Sequence, residues 1–160
     1  MKLLLITGVP GTGKTTIGDH LAEEYGFIHL DVELLDSWSV ELKDLFLSNS
    51  WAEFIKRLKS YGKDIVMTWG FMPGVHDNAV KDLQELGFKL IWFDGNREAA
   101  RVAFLKRGTV DEPTLDIQMA RVEKMNIQSL NPTIINTFDE NGKFQNKDKI
   151  VELLFEAKVS

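Results

Sequence analysis

Gly8-Val9-Pro10-Gly11-Thr12-Gly13-Lys14-Thr15 decides how this chain is read. The run fits the phosphate-loop pattern G-x-x-x-x-G-K-[ST] at every fixed position. Before it, Lys2-Leu3-Leu4-Leu5-Ile6-Thr7 is an apolar run that reads as a buried strand. After it, residues 16–25 carry Ile17, Leu21 and Ala22 at helical spacing, and Gly26 follows as a C-terminal cap. Glycines let successive backbone N–H groups turn inward as an anion nest, and the helix start adds partial positive charge. Residues Gly8, Val9, Pro10, Gly11, Thr12, Gly13, Lys14, Thr15 and Thr16 are therefore expected to bind a nucleotide's phosphates. Lys14 is expected on the β and γ phosphates and the Thr15 hydroxyl on Mg²⁺.

Composition narrows the class. At 160 residues the chain is expected to be one domain with a sizeable core. The net charge of −5 supplies no overall basic field for nucleic acid or an anionic membrane. With no cysteine, disulfides, zinc–thiolate sites and thiol nucleophiles are excluded. The first strand begins at once, no apolar run approaches the ~20 residues of a membrane span, and a cytoplasmic monomer or homodimer is expected.

Strand and helix patterns alternate throughout, which predicts a parallel sheet with helices on both faces. Strands are expected at 2–7, 27–30, 64–69, 88–93 and 133–137. Helices are expected at 16–25, 34–60 with a break near Asn49-Ser50, 77–86, 96–107, 114–125 and 147–157. The predicted fold is a three-layer α/β domain with strand order 2-3-1-4-5 and a short lid at about 108–113. Residues 31–60 are expected to hold the acceptor region.

Asp31 and Glu33 directly follow the second strand. Ligands of open α/β sheets bind at the C-terminal ends of the strands, so both acids are expected near the γ-phosphate. Carboxylates there hold a metal or orient and deprotonate an attacking hydroxyl. Asp31 also reads as a helix N-cap. Many P-loop proteins end the third strand with an Asp that supports Mg²⁺. Here the run ends at Thr68-Trp69, and Asp64 lies at the wrong end.

Phe27-x-x-x-Asp31-x-Glu33 resembles the F-x-D-x-D segment of shikimate kinases, with Glu replacing the last Asp. The resemblance implies a metal-region role for Asp31 and substrate-hydroxyl binding by Glu33. The triple-glycine turn of that family is replaced by Trp69-Gly70-Phe71-Met72-Pro73-Gly74, and the turn 109–113 has no arginine. Leu115-Asp116-Ile117-Gln118 followed by Glu123 is similar to the post-lid helix of gluconate-type kinases. The chain thus resembles the wider adenylate-kinase-like group of small P-loop kinases. That resemblance implies ATP, Mg²⁺ and a small-molecule hydroxyl acceptor.

Phosphoryl transfer builds charge that arginines neutralise. Arg107 beside the lid and Arg121 on the returning helix are the catalytic candidates, Lys14 and Asp31 the others. Arg57, Trp69, Gly70 and Phe71 are candidate acceptor-site residues, and Trp51 reads as core. The three histidines lack metal-ligand spacing. The function expected is transfer of the γ-phosphoryl group of ATP to a small alcohol. A nucleoside or nucleotide kinase and a non-catalytic nucleotide-binding module are the alternatives.

Overall fold

A computed structural model describes residues 1–70, 74–108, 110–124 and 126–156. Five strands form one parallel sheet: β1 (Leu3–Gly8), β2 (Ile28–Asp31), β3 (Ile65–Thr68), β4 (Lys89–Asp94) and β5 (Thr133–Asn136). Their order is β2-β3-β1-β4-β5, as the alternating pattern predicts. β1 is central and buried along its whole length. Its unbroken apolar sequence follows from that, because a central parallel strand has no solvent face.

Alternate residues of the strands serve two separate cores. Leu4, Ile6, Val66, Ile91, Phe93 and Ile135 face α1 (Lys14–Tyr25) and α7 (Lys147–Glu156), where they meet Ile17, Leu21, Ile150 and Leu154. Leu3, Leu5, Leu30, Ile65, Met67 and Leu90 face the other side. There they pack with residues of α2 (Val40–Leu47), α3 (Trp51–Lys59) and α4 (Asp77–Glu85), among them Phe46, Trp51, Phe54 and Leu83. The break expected near Asn49-Ser50 is the turn between α2 and α3, with Asn49 at φ +56°. A 3₁₀ segment (Val32–Ser37) precedes α2.

The remaining helices include two that follow β4. α5 (Arg97–Lys106) is capped by Asn96, whose side chain accepts from Ala99 N. α6 (Glu112–Lys124) starts two residues earlier than the sequence suggests. The reason is local: Asp111 Oδ1 accepts the Thr114 N–H at 2.9 Å and caps the helix. The connection is therefore shorter than the expected 108–113. On α5, Arg101 is ion-paired to Asp116 and to Glu112 on α6, which ties the two helices together.

No helix among the described residues is long and apolar enough to cross a membrane.

Candidate active site

The C-terminal ends of β1, β2 and β3 bring Gly8, Asp31 and Thr68 to one edge of the sheet. The phosphate loop leaves β1 there and is held from several directions. Val9 N donates to Phe93 O on β4 at 3.0 Å. The Thr12 hydroxyl donates to Val9 O at 2.6 Å, and the Thr137 hydroxyl, just past β5, donates to Thr12 O at 2.8 Å. Thr12 and Thr137 are both fully buried. Gly11 lies so close to α5 that a Cβ there would sit 2.1 Å from the Ala100 carbonyl oxygen. Gly13, with φ +85°, opens α1, so the first turn of the helix carries both Lys14 and Thr15.

Lys14 folds back on the loop. Its ammonium donates to Val9 O at 3.1 Å and Gly8 O at 3.3 Å. Burial lowers its pKa from 10.5 to about 8. Glu33 and Asp31 act against that shift, and Arg107 acts with it. Asp31, Glu33 and Arg107 therefore all lie within electrostatic reach of Lys14.

Asp31 is nearly buried and does two jobs. Its Oδ1 accepts the Glu33 N–H at 3.0 Å, as an N-cap, while its Oδ2 accepts the Thr15 hydroxyl at 3.0 Å. Its backbone carbonyl accepts the Trp38 indole N–H at 3.1 Å. The exposed Glu33 points across to Gly70: a Cβ built there would lie 3.5 Å from Glu33 Oε1.

The hydroxyl and carboxylate of Thr15 and Asp31 are hard oxygen donors at the loop–helix junction, which suits Mg²⁺. Among the described residues, no group of three or more His, Asp or Glu side chains could hold a metal by itself.

The arginines and aromatics expected at the site differ in their surroundings. Arg107 caps the C-terminal end of α5 with its guanidinium 5.2 Å from the Phe104 ring centroid. Arg121 is exposed on α6. Arg57 is engaged locally: its Nε is 3.0 Å from Glu41 Oε2 without an aligned hydrogen bond, and its guanidinium is 5.2 Å from the Tyr61 ring centroid. Trp69 is buried, with ring centroids 5.3 Å from Phe46 and 5.1 Å from His76, so it packs as core. Trp51 is core as expected. Phe71 lies outside the described residues.

Two contributors escape a motif-based reading. Thr137 and Phe144 come from the far end of the chain, and a Cβ on Gly13 would lie 2.6 Å from the Phe144 ring. The only sequence signal for them is the polar residue at the end of an apolar strand. His29, read as an ordinary strand residue, bonds Thr68 instead; its signal is Gly18, a glycine inside α1.

Sheet order and phosphate loop give the chain the P-loop fold that small-molecule kinases share. A family model described as shikimate kinase matches residues 10–71. The fold is similar to that of a sugar kinase from Janibacter sp. HTCC2649, at 18% identity over 97% of this chain and 92% of that one, TM-score 0.63. It is also similar to a gluconokinase from Sinorhizobium meliloti 1021, at 15% identity over 94% and 87%, TM-score 0.59. A shikimate kinase from Bacteroides thetaiotaomicron aligns at 20% identity over 97% and 96%, TM-score 0.56. No curated protein matches the chain at the sequence level.

Proposed function

We propose that the chain is an ATP-dependent phosphotransferase that moves the γ-phosphoryl group to a hydroxyl of a small-molecule acceptor in the cytoplasm, with Mg²⁺. The observation that carries this reading is the convergence on Lys14. An arginine from the lid side and two carboxylates from the end of β2 all bear on that one ammonium, which the phosphate loop holds by its carbonyls. A phosphate sink alone needs no acids; a transfer site needs a group to receive the hydroxyl proton.

In this reading the loop N–H groups and Lys14 hold the β and γ phosphates. The Thr15 and Asp31 oxygens would hold Mg²⁺, which would supply neutralising charge at the phosphates. Glu33 holds the acceptor and Asp31 takes its proton. The acceptor oxygen forms a bond to the γ-phosphorus as the bond to the bridging oxygen breaks, and ADP leaves. Arg107 stabilises the developing charge, with Arg121 approaching from α6.

The test is Lys14→Ala in calorimetry with ADP·Mg²⁺ and in a γ-phosphate transfer assay over a panel of small alcohols. We expect turnover to be lost and nucleotide affinity to fall. Equal affinity of the variant and the unaltered chain would overturn the reading.

A further inference from the structure

Beneath Asp31 lies a chain of hydrogen bonds that the transfer chemistry above does not use. Asp19 Oδ1, on α1, is 2.8 Å from His29 Nδ1, and His29 Nε2 is 2.8 Å from the Thr68 hydroxyl oxygen. The His29 side chain is only 8% exposed, whereas that of Asp19 is 59% exposed. Thr68 is buried. Thr68 is the last residue of β3 and is the register partner of Asp31 on β2. Paired residues of parallel strands turn their side chains to the same face, and His29, two residues before Asp31, shares it. The hydroxyl therefore sits on the α1 side of the sheet, beside the carboxylate that Thr15 bonds.

The directions of these bonds follow from what each group can do. A carboxylate at Asp19 only accepts, so an imidazole in its neutral form carries its proton on Nδ1. Nε2 is then a bare lone pair and only accepts. The Thr68 hydroxyl must donate to it, and that uses its one proton. What remains on Thr68 Oγ1 is acceptor capacity alone. A lone-pair oxygen next to Asp31 repels phosphate oxygens and attracts O–H donors. Many P-loop proteins carry an Asp at the end of this strand, an acceptor by virtue of its charge. Here a neutral hydroxyl is made into an acceptor by its partner.

We propose that Asp19 and His29 are positioning residues that fix Thr68 as an acceptor for a water on the nucleotide-bound divalent cation, so that Thr68 stands in for the missing strand-end carboxylate. Gly18 belongs to the same device. A Cβ at position 18 would lie 2.4 Å from His29 Nε2, so only a glycine lets the ring reach between α1 and the sheet to Thr68. Glycine inside a helix is otherwise unfavourable. The inference rests on the kinase reading, since it presumes a nucleotide-bound metal at Asp31.

The experiment measures Mn²⁺ binding to the protein–ADP complex by electron paramagnetic resonance, together with ADP affinity in EDTA and thermal melting. Thr68→Val keeps the shape and removes the hydroxyl, and His29→Phe keeps a ring and removes both nitrogens. Both are expected to weaken Mn²⁺ by roughly 10-fold, the scale of losing a partner that orients a metal's shell, with metal-free ADP affinity unchanged. Thr68→Ser and His29→Gln, which return a hydroxyl and an acceptor, are expected to recover most of it. Asp19→Ala changes an exposed side chain without threatening the core, and a few-fold weakening of Mn²⁺ is expected as the imidazole loses its fixed tautomer. Unchanged Mn²⁺ affinity in folded Thr68→Val and in Asp19→Ala overturns the proposal. So does an equal loss of metal-free ADP binding, which marks a purely structural clamp. An unaltered chain that binds no ADP at all overturns the kinase reading itself, and this inference with it.

Discussion

At the scale of single residues, Lys14 is held by burial and by two loop carbonyls at once. Its burial, against the pull of Glu33 and Asp31, holds its pKa at about 8 instead of 10.5. Phosphate binding needs the ammonium form. ADP affinity is therefore expected to be level below about pH 8 and to fall by up to about tenfold per unit above it. Folding stability moves the other way. Between about 8 and 10.5 the unfolded chain holds a proton that the folded chain has released, so this group alone makes stability rise with pH over that window. Calorimetric titrations of ADP across the window check the binding limb. Asp31 poses a second residue-scale question, because it caps a 3₁₀ segment and bonds Thr15 at once. Asp31→Asn retains capping ability and removes the charge. The expected result is a kcat loss of roughly 10²-fold or more with little change in melting temperature. Glu33→Gln is expected to raise KM for the acceptor and leave kcat nearly intact.

Elements were legible in the sequence to differing degrees, and the differences have physical causes. β1 and α1 stood out because an unbroken apolar strand, a glycine loop and a helical repeat are local patterns. The start of α6 was missed because Asp111, not Thr114, supplies the cap, and that choice is made by a side chain within a polar turn. The place of Asp31 and Glu33 was legible because they follow a strand whose end must lie at the C-terminal edge of the sheet. Thr68 and His29 were not, because their bond joins two strands across 39 positions of sequence. Arg57 and Trp69 misled for the opposite reason. Their types suit an acceptor site, but a nearby glutamate and a core of rings claim them. The β1–loop junction gives a prediction of its own. Gly8 has φ +134°, and a Cβ there would lie 2.2 Å from the Phe93 carbonyl oxygen, which is backbone and cannot yield cheaply. Gly8→Ala is expected to cost about 3 kcal/mol from backbone strain and overpacking together. Chemical denaturation would register this as a lower midpoint with an unchanged slope.

For the molecule as a whole, the phosphate loop is not an appendage of β1. The Thr137 hydroxyl, 125 positions away in sequence, holds Thr12 O from the far side of the sheet. Gln145 N in turn bonds Thr137 O at 2.8 Å, so the return segment after β5 is braced on the same point. A loop braced by the last strand reports its occupancy there. Amide hydrogens at 137–145 are expected to exchange more slowly with deuterium when ADP is added, although the segment shares no motif with residues 8–16. Amides in α4, on the opposite layer, should keep their rates. Protection limited to the loop and α1 would mean that the brace holds the loop's shape but does not feel its load. Slowing at both ends of the chain would make the C-terminal third a sensor of what the N-terminal residues hold.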